Sequence, residues 1–199
     1  RVRLDPDESR HLLHALRRRA GDRVTLADGA GSVAEGGVEL ASPRGAEVTV
    51  DALRVEPAVA GPGVTLALSV LHSQAMDWAA QKAVEVGVRR LVPVVAARSQ
   101  LGQQPARGRV AHWRRVARQA LKQCRRAWAM EVDDPRSLGE LAELGRAEGG
   151  LVADPAGEPL AALPPGCGRL LLVGPEGGLT EAESRLLEVA GWRRLRLGP

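Results

Sequence analysis

The sequence contains no phenylalanine and no tyrosine, and its four tryptophans are the only aromatic residues among 199. Leucine, valine and alanine must therefore fill the core, and few flat rings remain on which splayed bases could stack. Cysteine is scarce too: Cys124 and Cys167 stand far apart, with no C-x-x-C pair and no Cys/His cluster at metal-ligand spacing. That argues against a disulfide framework and against a bound metal, and both cysteines are expected to be reduced, buried small residues. There is no run of 18 apolar residues and no signal peptide, so a cytoplasmic protein without a membrane contact is expected. The absence of a G-x-x-x-x-G-K-[ST] phosphate loop argues against a nucleotide-using α/β enzyme.

What is present is enough chain for one large domain or two small ones, with a true core. Lys and Arg total 28 against 24 acidic residues, a net charge of +4, which fits a polyanionic partner without proving one. Val2 to Leu4 reads as a short strand and Asp7 to Arg19 as a helix with Leu12, Leu13 and Leu16 on its apolar side. Val24 to Leu26 and Gly31 to Glu35 read as strands around the hairpin turn Asp28-Gly29-Ala30-Gly31, and Val48 to Val55 as another. Pro57 to Gly63, uncharged and rich in Pro and Gly, reads as a domain linker, with an ordinary loop as the alternative.

Beyond it, strands and helices alternate. Val64 to Leu71, Leu91 to Val95, Leu151 to Ala153, Leu170 to Val173 and Leu195 to Leu197 read as strands. Met76 to Val86, His112 to Arg126, Ser137 to Leu144 and Glu181 to Ala190 read as helices. This order predicts an α/β domain with a largely parallel sheet covered on both faces.

Two segments carry chemistry. The first is the basic stretch with Arg107, Arg109, Arg114, Arg115, Arg118, Lys122, Arg125 and Arg126 and no acidic residue from 107 to 126. Trp113, Val116, Ala117, Ala120, Leu121 and Cys124 recur at helical spacing as its packed face. One-signed charge repels itself along a helix, so a phosphate backbone explains it better than solubility does; a solvated arginine-rich face is the alternative. Arg10, His11, His14, Arg17, Arg18, Arg19 and Arg23 form a second basic region, and together the two are expected to embrace a folded RNA. His11 and His14 lie three apart without a third ligand, which suits phosphate contact or packing rather than a metal; His112 is expected to begin the basic helix.

The second segment is Leu170-Leu171-Leu172-Val173-Gly174-Pro175-Glu176-Gly177-Gly178-Leu179-Thr180. A buried strand breaks into a glycine loop before a helix, placing a tight turn at the C-terminal end of a core strand, where open α/β sheets bind ligands. Glycine there lets a flat ligand approach the backbone. An ordinary strand-to-helix turn remains the alternative.

Five motifs in order give the chain a family resemblance. They are His11 to Arg17 with Gly21-Asp22 and Asp28-Gly29; Gln81 to Val88 with Leu91-Val92-Pro93 and Arg98-Ser99; Trp113, Ala120, Gln123 and Arg126 in the basic helix; Gly174 to Gly178 with Glu183; and Leu197-Gly198-Pro199. The chain resembles the bacterial 16S ribosomal RNA (uracil-N3) methyltransferases of the SPOUT class over nearly its whole length.

The resemblance implies a small β-rich PUA-like RNA-binding domain over residues 1–58. It implies a trefoil-knotted methyltransferase domain over residues 64–199, S-adenosylmethionine as methyl donor, 16S rRNA within the 30S subunit as partner, and a homodimer. It places the cofactor on Leu172, Gly174, Gly177, Gly178, Leu197 and Gly198. Arg98 and Glu176 become the catalytic candidates, and Arg10, His14, Arg17, Arg18, Arg114, Arg118, Lys122 and Arg126 the RNA contacts. Lys82 and Glu85, three apart on one helix, suit a structural pair as well as a catalytic role.

Two departures stand out. The family carries a Lys-Gly-Asp-like loop where this chain reads His72-Ser73-Gln74. It also continues past the position of Pro199 with a segment that threads the knot, so further residues are expected there, and a fragment ending at Pro199 is expected to be inactive. The chain begins without Met, so a few preceding residues are expected as well. Another SPOUT methylation, or a non-catalytic RNA-binding or ribosome-assembly role, is the competing function.

Overall fold

The structure is a computed structural model that describes residues 1–42, 45–58, 63–164 and 168–198. Two compact units emerge, one of Arg1–Ala58 with Arg125–Trp128, the other of Val59–Cys124 with Ala129–Pro199.

The first unit opens with β1 (Val2–Arg3) and α1 (Pro6–Arg10). Asp5 caps α1, accepting the Glu8 amide at 2.8 Å, and Pro6 starts the helix where its missing N–H costs nothing. The expected helix to Arg19 does not form. The chain passes from α1 into a single π-helical turn, His11–Ala15, closed by the Leu16 amide on the His11 carbonyl. It then breaks, with Arg17 left-handed at φ 52° and the Arg19 amide on the Asp22 carboxylate at 2.9 Å. The Arg19 amide thus goes to the Asp22 carboxylate instead of a helical carbonyl, and the Asp22 amide returns to the Arg19 carbonyl at 3.1 Å, which closes a turn in place of the helix. Leu12 and Leu13 therefore pack inward with Val38, Ala46 and Val24, while Leu16 is 52% exposed.

β2 (Arg23–Ala27), β3 (Ser32–Ser42) and β4 (Gly45–Val55) complete an antiparallel sheet in the order β1-β4-β3-β2. The Asp28 carboxylate organises the β2–β3 turn by accepting the Ala30 and Ser32 amides at 2.7 and 2.9 Å. β3 runs well past Glu35, where the expected strand ends. Gly36 sits at a register shift against β4, and a Cβ there would collide with the Thr49 carbonyl, with the carbonyl carbon at 2.9 Å. Gly36→Ala is accordingly expected to destabilise the first unit by about 1–3 kcal/mol, read as a lowered urea midpoint at unchanged slope. Arg125–Trp128 joins this unit through a bridge between Ala30 and Trp128, the Gly31 amide on the Ala127 carbonyl, and the Trp128 indole N–H on the Glu56 carbonyl at 3.2 Å.

In the second unit β5 (Thr65–Ser69), α2 (Ser73–Val86), β6 (Arg90–Val95) and α3 (Gln103–Cys124) are followed by the short strands β7 (Glu131–Val132) and β8 (Arg136–Ser137). Then come α4 (Leu138–Glu148), β9 (Gly150–Pro159), β10 (Leu170–Val173), α5 (Glu181–Val189) and β11 (Arg193–Arg196). The sheet order is β11-β9-β10-β5-β6-β7, with β8 also on β6, and every pairing is parallel.

Alternating residues serve opposite faces, as the pleat requires. Leu68 packs toward α2 and α3 with Met76, Ala80 and Trp113, whereas Ala67, Leu170 and Leu172 pack toward α4 and α5 with Leu141, Leu187 and Trp192. Each helix end follows local chemistry: Gly87 closes α2 in the left-handed region, and Ser137–Glu140 and Thr180–Glu183 form capping boxes at α4 and α5.

α3 starts nine residues before the expected His112. Pro105 does not prevent this, because it falls in the first turn, where backbone N–H groups have no helical acceptor. His112 lies mid-helix, its Nε2 2.8 Å from the Asp77 carboxylate of α2. The helix also stops at Cys124, because Arg125 turns left-handed at φ 57°, so Arg126 does not share a helical face with Gln123. Cys124 is a free, half-buried thiol; Cys167, Pro199 and residues 59–62 of the expected linker lie outside the described residues.

Candidate active site

Two features of the strand order open a crevice. β9 and β11 pair at Val152–Arg194 and again at Glu158–Leu195, so Ala153–Gly157 loops out of the ladder. Gly157 permits this, since a Cβ there would strike the backbone of Arg194 and Leu195 at 2.7 Å. Next to this bulge β10 ends in the loop Gly174–Leu179, turned by the Gly178 amide on the Pro175 carbonyl at 2.8 Å, with Gly178 left-handed at φ 70°.

Between bulge, loop and α5 lies a cavity of about 420 Å³. Its walls include the backbone of Gly174 and Gly178, the carboxylates of Asp154, Glu176 and Glu188, and the Trp192 ring. The size and mixed lining suit a small organic ligand. Arg194 also borders it, held by Asp154 at 3.4 Å and by Glu188.

A second loop is fastened to the first. The Ala97 amide after β6 donates to Glu183 Oε1 at 2.7 Å, and Arg98 Nη1 donates to the Gly177 carbonyl at 2.6 Å. Glu183 Oε2 accepts the Thr180 amide and hydroxyl at 2.8 and 3.0 Å. Burial raises the Glu183 pKa, but the Thr180 and Ala97 amides, the Thr180 hydroxyl and the Arg98 charge together outweigh it and hold the carboxyl below its ordinary range. In the α4 cap the Ser137 amide and hydroxyl lower Glu140 in the same direction.

A carboxylate with a depressed folded pKa stabilises fully above its unfolded value, about 4.3, and loses that contribution as pH falls through the lower folded value. Thermal stability is therefore expected to be insensitive to these caps between pH 5 and 8 and to fall below about pH 4. Glu140→Gln is expected to flatten that acid limb in melts recorded across pH.

The residues singled out from sequence distribute unevenly. Gly174, Gly178 and Glu176 line the cavity. Gly177 lies beside it under Arg98, which is exposed. Leu172 sends its side chain into the core, Leu197 is exposed, and Gly198 follows β11 at φ 125°. Lys82 and Glu85 form an ion pair at 2.7 Å, the structural alternative. His72 stands at the N-cap position of α2 without a side-chain capping bond, so the divergent His72-Ser73-Gln74 stretch is helix start rather than open loop.

Arg114, Arg118 and Lys122 stand exposed on α3, with Arg114 bonded to the Val132 carbonyl at 3.0 Å and the Asp134 carboxylate at 3.2 Å. Arg10, His14, Arg17 and Arg18 are exposed in the first unit, and Arg126 is half-buried in its Arg125–Trp128 segment. Among the described residues no group of His, Cys, Asp or Glu could hold a metal, and no helix is long and apolar enough to cross a membrane. Sequence reasoning missed Asp154, Glu188, Trp192 and Arg194, which only the β9 bulge and the β11 return bring to the cavity. An Asp154-Pro155 pair directly after a strand was the one local signal.

The second unit is thus an open-sheet α/β domain with a crevice at the carboxyl end of β10 and the β9 bulge, where such folds commonly bind ligands. Residues 60–199 match the family model of the RNA methyltransferase domain, and residues 4–51 match that of the RNA methyltransferase PUA domain. The chain is 33% identical to ribosomal RNA small subunit methyltransferase E of Mycobacterium bovis, over 98% of this chain and 78% of that protein. It is 27% identical to the Bacillus subtilis protein of the same name, over 93% and 78%. The crystal structure of the Neisseria gonorrhoeae ribosomal RNA small subunit methyltransferase E bound to S-adenosyl methionine superposes with a TM-score of 0.88 at 27% identity, covering 99% of this chain and 83% of that one. The chain belongs to the RNA methyltransferase family.

Proposed function

We propose that the protein methylates N3 of a uracil in 16S rRNA with S-adenosylmethionine as donor. The observation that carries this reading is the cavity of about 420 Å³ behind the glycine loop, with Arg98 tied to that loop. The donor fits the groups present: bare backbone at Gly174 and Gly178 for a flat base, and the acidic residue Glu176 for a cationic centre. Gly177 and the strand-end residues Leu172, Leu197 and Gly198 would add backbone contacts. When bound, the donor supplies an electrophilic methyl group, so neither a metal nor a covalent nucleophile is needed.

The chain's own task is to orient a uracil and stabilise the anion left when its imide proton departs. One Arg98 N–H is spent on the Gly177 carbonyl, and the others remain for that anion or a flanking phosphate. Glu176 complements the donor's positive charge.

Residues 1–58 act as the PUA-like RNA-binding domain and residues 64–199 as the methyltransferase domain. Arg10, His14, Arg17, Arg18, Arg114, Arg118, Lys122 and Arg126 contact rRNA. A knotted homodimer in the cytoplasm acting on the 30S particle completes the reading, supported by the family membership and the basic face of α3.

The test is methyl transfer from labelled donor by the gene product to 30S particles lacking the modification, followed by nucleoside analysis. N3-methyluridine is expected. Another methylated nucleoside overturns the base and keeps the fold. No transfer and no donor binding favours an RNA-binding role.

A further inference from the structure

Glu183 lies outside the cavity lining, is half-buried, and joins two pieces of chain distant in sequence. Its Oε2 accepts both the Thr180 amide and the Thr180 hydroxyl, and the Thr180 hydroxyl accepts the Glu183 amide at 3.3 Å, completing the α5 cap. A capping box needs no more than this. The other oxygen, Oε1, reaches instead across 86 positions of sequence to the Ala97 amide at 2.7 Å. The next residue is Arg98, whose guanidinium closes the loop on the Gly177 carbonyl. The 96–99 segment is otherwise a short turn, with the Ala96 amide donating to the Ser99 hydroxyl at 2.9 Å, the Ser99 amide donating to the Ala96 carbonyl at 3.1 Å, and the Ser99 hydroxyl donating to the Val94 carbonyl at 3.4 Å. That turn is anchored at its far end by the Gln100 amide on the Val70 carbonyl at 3.1 Å. The Ala97 bond ties it to the α5 cap, and the Arg98 bond ties it to the glycine loop.

We infer that Glu183 is a positioning residue for the methyl-transfer site, fixing the Ala97–Arg98 peptide against the glycine loop so that the free face of Arg98 points at the substrate. The inference rests on the function proposed above, because it assigns Arg98 a substrate. It adds a residue that acts through Arg98 and touches neither substrate nor donor.

The geometry makes the carboxylate itself necessary. Two oxygens serve donors on opposite sides, so an amide, which has one acceptor oxygen and one NH2, sets donor against donor at Ala97 or at Thr180. Glu183→Gln is thus expected to keep its one oxygen on the Thr180 cap, where two donors converge and glutamine serves as well as glutamate, and to turn its NH2 on the Ala97 amide, releasing it while changing little volume. Thr180→Ala weakens the cap and leaves the Ala97 bond, which supplies the control for a purely structural role.

The first readout is amide hydrogen exchange. Ala97 is expected to exchange faster in Glu183→Gln and to keep its wild-type protection in Thr180→Ala; unchanged exchange at Ala97 in Glu183→Gln overturns the clasp. The second is a mutant cycle in methyl transfer to 30S particles. Glu183→Gln alone is expected to lower kcat/KM by about 10- to 100-fold, the scale of a misplaced catalytic group. In an Arg98→Ala background the same change is expected to cost less than about twofold, because its effect is already spent. An additive cycle in an active wild type overturns the positioning role alone. A wild type that transfers no methyl group overturns the function reading and the positioning role together, while the exchange measurement still reads the clasp.

Discussion

Arg98→Ala is expected to lower kcat for methyl transfer by about 10²- to 10³-fold while leaving donor affinity nearly unchanged. That is the scale seen when one preorganised donor facing a developing anion is removed. The side chain is exposed, so its removal leaves no buried hole, and the folded state should tolerate it. It also holds the Gly177 carbonyl, and a looser glycine loop would show itself differently, as weaker donor binding with kcat preserved. Calorimetric donor binding and single-turnover transfer on the same variant separate the two.

Arg98→Lys sharpens the result. A lysine ammonium is a point charge without the planar fork, so it can keep the Gly177 bond or face the anion but does both poorly. An intermediate rate is expected. Full activity in Arg98→Ala would remove the guanidinium from the mechanism.

Much of this arrangement was legible in the sequence because it is local. The run Leu170–Val173 followed by Gly174-Pro175-Glu176-Gly177-Gly178 marks a strand, a turn and a helix start within a dozen residues, and the structure places them so. The strand–helix alternation after residue 64 likewise foretold the parallel sheet.

What was hidden is what depends on partners distant in sequence. The strand read as Gly31 to Glu35 runs on to Ser42, and Gly36 within it lets the Thr49 carbonyl approach, which no window around it reveals. The long basic helix reads as starting at His112, yet it starts at Gln103, since a helix tolerates proline in its first turn and loses only propensity at an exposed glycine. The cavity wall of Asp154, Trp192 and Arg194 exists because β11 returns beside β9 with a bulge between them, a register fact invisible to periodicity.

The largest stability effect is expected at one of those hidden residues. Trp192→Ala should cost about 3–5 kcal/mol in unfolding free energy, the usual loss for a buried tryptophan. Trp192 is 5% exposed, and its indole N–H donates to the Ala142 carbonyl of α4 at 3.3 Å. The ring lies against Gly145 of α4 and Gly150 of β9, where any Cβ would overlap it. Its other side borders the proposed donor cavity, so donor affinity should fall as well.

The two glycines make this prediction unusually testable. Gly145 lies inside α4, where alanine is favoured over glycine by about 0.8–1 kcal/mol once nothing opposes a methyl group. In the wild type the Trp192 ring does oppose it, so Gly145→Ala should destabilise. In a Trp192→Ala background the ring is gone, and the same substitution should become neutral or stabilising. A sign reversal in urea unfolding followed by circular dichroism would show that Gly145 is kept for the tryptophan. Destabilisation of equal size in both backgrounds would mean that the ring does not rest on α4 in solution.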